Sequence, residues 1–144
     1  MSAPRLYEKF YARVLAKVEE DGGLKKAVFE WAIGVGREAS RVRQRGEEVR
    51  GPLAWKNAIA DRLVFRKIRD RMGGRLRYFI SGGAPLSREI AEFFHACDVL
   101  ILEGYGLTEC SPVCVENPFG RQTRQGSIGL PIPGFEARIV NDQD

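Results

Sequence analysis

Histidine and cysteine are scarce in this chain, and the scarcity excludes a good deal. Among 144 residues there is one histidine, His95, and three cysteines, Cys97, Cys110 and Cys114. Their number is odd and no two have the CxxC spacing of a zinc or redox pair. A Cys/His metal centre is therefore not expected, and the thiols read as reduced, small hydrophobes. No apolar run approaches the roughly 18 residues that span a bilayer. The start, "MSAPRLYEKFYARV", has no apolar stretch behind a basic end, so no secretory signal is expected and the chain reads as intracellular. Neither a Walker A ending nor a GxGxxG fingerprint occurs. Internal repeats and low-complexity tracts are also missing.

What is present suits a soluble globular domain: 44% hydrophobic and 29% charged residues. The net charge of +4 hides an asymmetry. Residues 1–77 hold 19 Lys and Arg against 10 Asp and Glu, whereas residues 78–144 hold 4 against 9. A basic half can bind nucleic acid or an anionic membrane. Mixed charges such as "RVRQRGEEVR" instead favour a solvated helical face.

The first half reads as helices. Leu6, Phe10, Val14 and Val18, with Tyr7 and Tyr11 alongside, recur at helical period between Pro4 and the Gly22-Gly23 stop. Leu24, Val28, Trp31, Val35 and Ala39 mark a second helix, with Asp21 as its cap. After the polar connector "RQRGEEVRGP", a third runs from Pro52 through Ala58, Ile59, Leu63 and Ile68 to Gly73-Gly74. Trp31 and Trp55 read as core or interface aromatics, and His95 as surface or partly packed.

At Gly74 the pattern changes. "RLRYFIS", Arg75 to Ser81, reads as a strand, and "SREIAEFFHAC" as a helix capped by Ser87 with Glu89 near its positive end. "VLILE", Val99 to Glu103, is a second strand, and "FEARIVN" a last one. Strand, helix, strand is the βαβ unit of a parallel sheet, so the expected class is α/β, a helical half followed by a βαβ portion. Ligand sites of such sheets lie beyond the carboxyl ends of the strands. There the chain places "SGGAPLS" and "GYGLTECSP".

Both loops keep two readings. Gly82 and Gly83 allow close backbone approach or positive φ, or make an ordinary strand-to-helix turn. In "GYGLTE", Tyr105 can lay its ring on a flat partner, Thr108 can donate to a phosphate oxygen, and Glu109 suits Mg²⁺. The alternative is a β-turn with a capping threonine.

Together "YFISGGAPLS" and "EGYGLTECSP", with "GSIGLPIPGFEARIV" downstream and "PRLYEKFYARV" upstream, resemble the adenylate-forming (AMP-binding, acyl-CoA synthetase) superfamily. The helical approach to "GGRLRYFISGGAPLS" most resembles long-chain fatty-acid–CoA ligases. The resemblance implies an enzyme that activates a fatty acid with ATP and Mg²⁺ and transfers it to coenzyme A. It implies a nucleotide-binding set of Gly82, Gly83, Ala84, Pro85, Gly104, Tyr105, Gly106, Leu107 and Thr108. Within that set Gly83, Ala84 and Pro85 would wall the adenine and Tyr105 would stack on its other face. Thr108 would hold the α-phosphate and Glu109 the Mg²⁺, both counted as catalytic.

The family's phosphate loop ending in lysine, its Gly-Asp motif and its lysine-bearing C-terminal domain are not found within residues 1–144. The resemblance therefore implies an internal fragment of the large domain, helical over 1–74 and βαβ over 75–144, inactive without the remainder of the chain and poorly soluble. Where the long-chain group commonly has glycine, this chain has Cys97-Asp98; Asp98 tolerates a left-handed turn, which is expected to survive. A cytoplasmic location is expected, with a peripheral place at the membrane's inner face as its variant. Two other functions stay open. One is an adenylate-forming ligase for another carboxylate; the other is a stand-alone basic helical module for nucleic acid or an anionic membrane, although no nucleic-acid partner is expected.

Overall fold

The computed structural model describes residues 4–74, 78–110, 113–117 and 126–141. Helices fill the first half: α1 (Pro4–Asp21), α2 (Gly23–Gln44), α3 (Gly51–Ala60), a π-helical turn (Asp61–Phe65) and α4 (Arg66–Arg71). Strand β1 (Tyr78–Ser81), helix α5 (Arg88–Ala96) and strand β2 (Leu100–Tyr105) then form the expected βαβ unit. Two short strands, β3 (Val115–Glu116) and β4 (Leu130–Pro131), complete a sheet of order β1-β2-β3-β4. Only β1 and β2 are parallel; β3 and β4 are added antiparallel. The architecture is mixed α/β, and residues 75–77 of the expected first strand lie outside the described residues.

The core forms where α5 meets α1, α2 and β1. Phe93 and Phe94 are adjacent, buried, and packed edge to face with centroids 5.4 Å apart. Phe94 also meets Tyr7 and Phe10 of α1 and Phe79 of β1, while Phe93 meets Tyr11 of α1 and Phe29 of α2. Such pairs contribute about 0.5–1.5 kcal/mol each beyond area burial. The Tyr7 hydroxyl donates to the Ile80 carbonyl at 3.0 Å, so the first helix grips the first strand through one buried side chain.

Several expectations change. The inward stripe of α1 runs through Tyr7, Phe10, Tyr11, Val14 and Val18, while Leu6 is exposed. Asp21 is not a cap: it ends α1, and α2 starts after the single residue Gly22 at φ 55°, with no side-chain cap. Trp31 and Trp55 do not belong to the core. Trp31, on α2, is 40% exposed because that helix buries Phe29, Ala32, Ile33 and Ala39 instead, and Trp55, on α3, is 71% exposed. The third expected helix contains a π turn, which brings Ala60 and Phe65, five apart, inward together. Arg69 fixes that turn: its Nη2 lies 2.7 Å from Asp61 Oδ1, and its Nη1 donates to the Cys97 carbonyl at 3.0 Å. Ser87 stands at the N-cap of α5, but its hydroxyl makes no capping bond. Asp98 does turn left-handed, at φ 60°, held by Arg43 at 3.1 Å.

"FEARIVN" is not a strand. Phe135 N donates to the Ile132 carbonyl at 3.0 Å around Pro133 and Gly134 (φ 92°), the pattern of a type II turn. Beyond it no strand among the described residues offers a ladder, so the apolar alternation is left without a sheet.

Close approach of α2 to α5 depends on Gly36. A Cβ there would lie 2.5 Å from the Ala96 carbonyl oxygen and 2.7 Å from Phe65 Cζ. Gly36→Ala should therefore lose stability by about 1–2 kcal/mol, overpacking outweighing the gain in helix propensity. Gly34, with nothing within 4 Å, is the control, and Gly34→Ala should gain roughly 0.5–1 kcal/mol. Urea midpoints of the two variants give the comparison.

His95 turns out to be part of the α2–α5 contact. Ser40 Oγ lies 2.5 Å from its Nδ1, and Gln44 donates to that hydroxyl at 3.0 Å. Burial, and then the Arg43 charge, hold His95 below its ordinary 6.5, with Asp98 acting the other way. The unfolded chain then binds the proton more tightly than the folded one. The neutral ring's contribution is complete above about pH 6.5 and is lost as pH falls through the lowered folded value. Stability should decline below pH 6.5 in the parent sequence and decline less in His95→Gln, measured by urea unfolding from pH 7.5 to 5.

Candidate functional site

The parallel register builds the site. Tyr78 pairs with Leu100, Phe79 with Ile101, Ile80 with Leu102 and Ser81 with Glu103. Strands of equal direction release their following loops at one end of the sheet, although β2 runs two residues further than β1. Gly82-Gly83-Ala84-Pro85 and Gly104 through Glu109 therefore leave from the same end, the carboxyl end where open α/β sheets bind ligands.

Each loop is anchored at its base and open at its tip. Gly83 adopts φ 84°, a conformation that side-chain-bearing residues rarely take, and it is exposed with Ala84 and Pro85. Leu86 then plunges into the core and α5 begins. On the other side, Gly104 and Tyr105 still belong to β2, paired with Glu116 and Val115. Cys114 N donates to the Tyr105 carbonyl at 3.0 Å and Asn117 N to the Glu103 carbonyl at 3.2 Å, closing the loop at its root. Above that root, Tyr105 is 47% exposed; Leu107, Thr108 and Glu109 are exposed as well. Thr108–Cys110 form a 3₁₀ turn. Residues 111 and 112 and the Cys110 side chain lie outside the described residues.

Two contributors were not singled out by sequence. Asn117 is buried and its amide donates to the Ser127 carbonyl, fastening a later segment against β3. Ser81 is 2% exposed, and its hydroxyl has no hydrogen-bond partner among the described residues. Its place beside the glycine loop was legible; its burial was not, because a strand of four residues leaves the facing side undetermined.

Chemically the pair of loops offers a flat aromatic face, glycine backbone that a ligand can approach closely, one hydroxyl and one carboxylate. Neither loop carries Lys or Arg. It can hold a base and place a phosphate, but it cannot by itself neutralise a triphosphate. For a divalent ion, no group of three or more His, Cys, Asp or Glu side chains occurs among the described residues. Glu109 is a lone exposed carboxylate. That fits Mg²⁺ carried by substrate phosphates, which commonly takes one or two protein carboxylates, and does not fit an all-protein cage. Of the thiols, Cys97 is inert, its pKa pushed up to about 12 by burial.

Replacing Ser81 tests the unsatisfied hydroxyl. An unpaired buried group costs about 1–3 kcal/mol, so Ser81→Ala should leave stability unchanged or raise it in urea unfolding. A loss of more than about 1 kcal/mol would mean that the hydroxyl has a partner.

The family model of the AMP-binding enzymes matches residues 1–144. Long chain acyl-CoA synthetase 6, peroxisomal, of Arabidopsis thaliana is 39% identical over 143 residues, covering 97% of this chain and 18% of its own. Long-chain-fatty-acid–CoA ligase FadD15 of Mycobacterium bovis is 36% identical over 145 residues, 99% of this chain and 23% of its own. Fatty acyl-CoA synthetase A of Dictyostelium discoideum is 32% identical over 141 residues, 96% of this chain and 19% of its own. The chain thus spans less than a quarter of the length of these relatives. Its match to the family model over its whole length, together with these identities, establishes that the chain belongs to the AMP-binding enzyme family.

Proposed function

We propose that this chain is the adenine-binding part of an ATP-dependent long-chain fatty-acid–CoA ligase. The observation that carries the reading is the β1–β2 register, which brings the two glycine loops to one end of the sheet. The relatives, named as long-chain acyl-CoA synthetases and ligases, supply the substrate class.

In this reading Gly82, Gly83, Ala84 and Pro85 form one wall of the nucleotide pocket and Tyr105 lies against the opposite face of the base. Gly104 and Gly106 leave room for the fatty carboxylate, with Leu107 beside it. Thr108 donates to the α-phosphate, and Glu109 holds the metal that travels with ATP. Bound there, that ion would offset charge where two anions must meet. A carboxylate oxygen of the fatty acid bonds to the α-phosphorus and pyrophosphate leaves. The sulfur of coenzyme A then bonds to the acyl carbon and AMP leaves. Because neither loop carries a cation, the grip on the β- and γ-phosphates comes from the remainder of the ligase.

No helix among the described residues is long and apolar enough to cross a membrane. A cytoplasmic location, with peripheral membrane contact as its variant, is part of the same proposal and does not rest on that absence.

The test is pyrophosphate release by the parent enzyme with ATP and palmitate. Glu109→Gln should lower kcat by about 10²–10³-fold, and Tyr105→Ala should act chiefly on the KM for ATP. The isolated 144-residue chain should form no thioester. Palmitate-dependent release that survives Glu109→Gln unchanged would overturn the assignment.

A further inference from the structure

Away from the sheet, α1, α2, the π turn and α4 enclose an open groove of about 320 Å³. Its floor is apolar: Val14, Val18, Val28, Phe29, Val64 and Ile68. At its margin stand two exposed leucines, Leu24 at 81% and Leu63 at 45%. The groove starts at Val14, two helical turns along α1 from Tyr7, the residue that grips β1. At 1.5 Å per residue this is about 10 Å, so the groove is separate from the strand-end loops.

The rim is what identifies an occupant. It carries Lys17, Lys25, Lys67 and Arg71 against a single acid, Asp21. Asp21 is already shared by Lys17 at 3.6 Å and Lys25 at 3.5 Å. Lys67 and Arg71 stand one turn apart on α4 and have no ion-pair partner among the described residues. An apolar partner helix would leave these cations without a counter-charge. An alkyl chain ending in an anion satisfies both features, its methylenes on the valine floor and its head at the two cations. The volume equals roughly ten waters at ~30 Å³ each, room for part of an alkyl chain along an open groove.

We infer that this groove is a second binding site, outside the nucleotide pocket, for one long-chain carboxylate, with Lys67 and Arg71 receiving the head group. The choice of a fatty carboxylate among anionic amphiphiles rests on the ligase reading; the groove and its charged rim do not.

The probe is palmitate with a photoreactive diazirine at its alkyl end, irradiated with the parent enzyme and mapped by peptide mass spectrometry. Label should appear in segments 14–18, 28–29 and 63–68. Lys67→Glu/Arg71→Glu, a surface pair chosen to spare the fold, should weaken that labelling about tenfold, the equivalent of one lost charge-assisted contact. The matching long-chain alcohol should label less than the acid. Absence of label there, or equal label in the charge-reversed variant, would overturn the site. So would flotation on phosphatidylglycerol vesicles that depends on Lys67 and Arg71 without any labelling by the probe, since the face would then dock on a membrane. Thioester formation is followed in parallel and should persist in the charge-reversed variant. Groove labelling in a parent chain that makes no thioester would sustain the site while the ligase reading falls.

Discussion

Two adjacent rings on one short helix, Phe93 and Phe94, hold the rest of the molecule in place. One faces α1 and β1, the other α1 and α2, so three elements meet across a single turn of α5. That helix is the crossover between β1 and β2, and a crossover packed on both sides fixes the offset of the strands it connects. The register of Ser81 with Glu103 follows, and with it the meeting of the two loops. The end of the sheet where the two loops meet is thus set by the packing of α5. Arg69 and Arg43 complete the arrangement by tying α4 and α2 to the Cys97-Asp98 corner where α5 hands the chain to β2.

A left-handed residue is needed between α5 and β2, and Asp98 supplies it at φ 60° where glycine would do so without strain. An aspartate there also gains a partner, Arg43, which glycine could not. The same arginine lowers the proton affinity of His95, so conformation, charge and helix contact are linked through a few side chains.

Much of this was legible in the residues. Periodicity and glycine punctuation marked α1, α2, β1, α5 and β2, and the βαβ order placed both loops at one sheet end. Features that depend on distant partners were not legible. The alternation in "FEARIVN" is a strand signal, but a strand needs a neighbour, and a Pro133-Gly134 turn precedes it without one. Leu24 and Trp31 fit a helical stripe, yet α2 turns Phe29, Ala32, Ile33 and Ala39 inward, with Gly36 lying against Ala96. The π turn has no local signature; it arises because Ala60 and Phe65 both find the core five residues apart. At the candidate site, residue types suggest a base, a phosphate and a metal ion as ligands, while the buried Ser81 hydroxyl emerges only from the packing.

The central claim is that "SGGAPLS" and "GYGLTE" are two sides of one nucleotide site. Hydrogen–deuterium exchange of the parent enzyme, with and without ATP, tests it most directly. The account predicts that peptides covering 81–86 and 104–109 gain protection together and over the same range of ATP concentration. Protection of one loop without the other, or of neither while ATP is bound elsewhere, would contradict it.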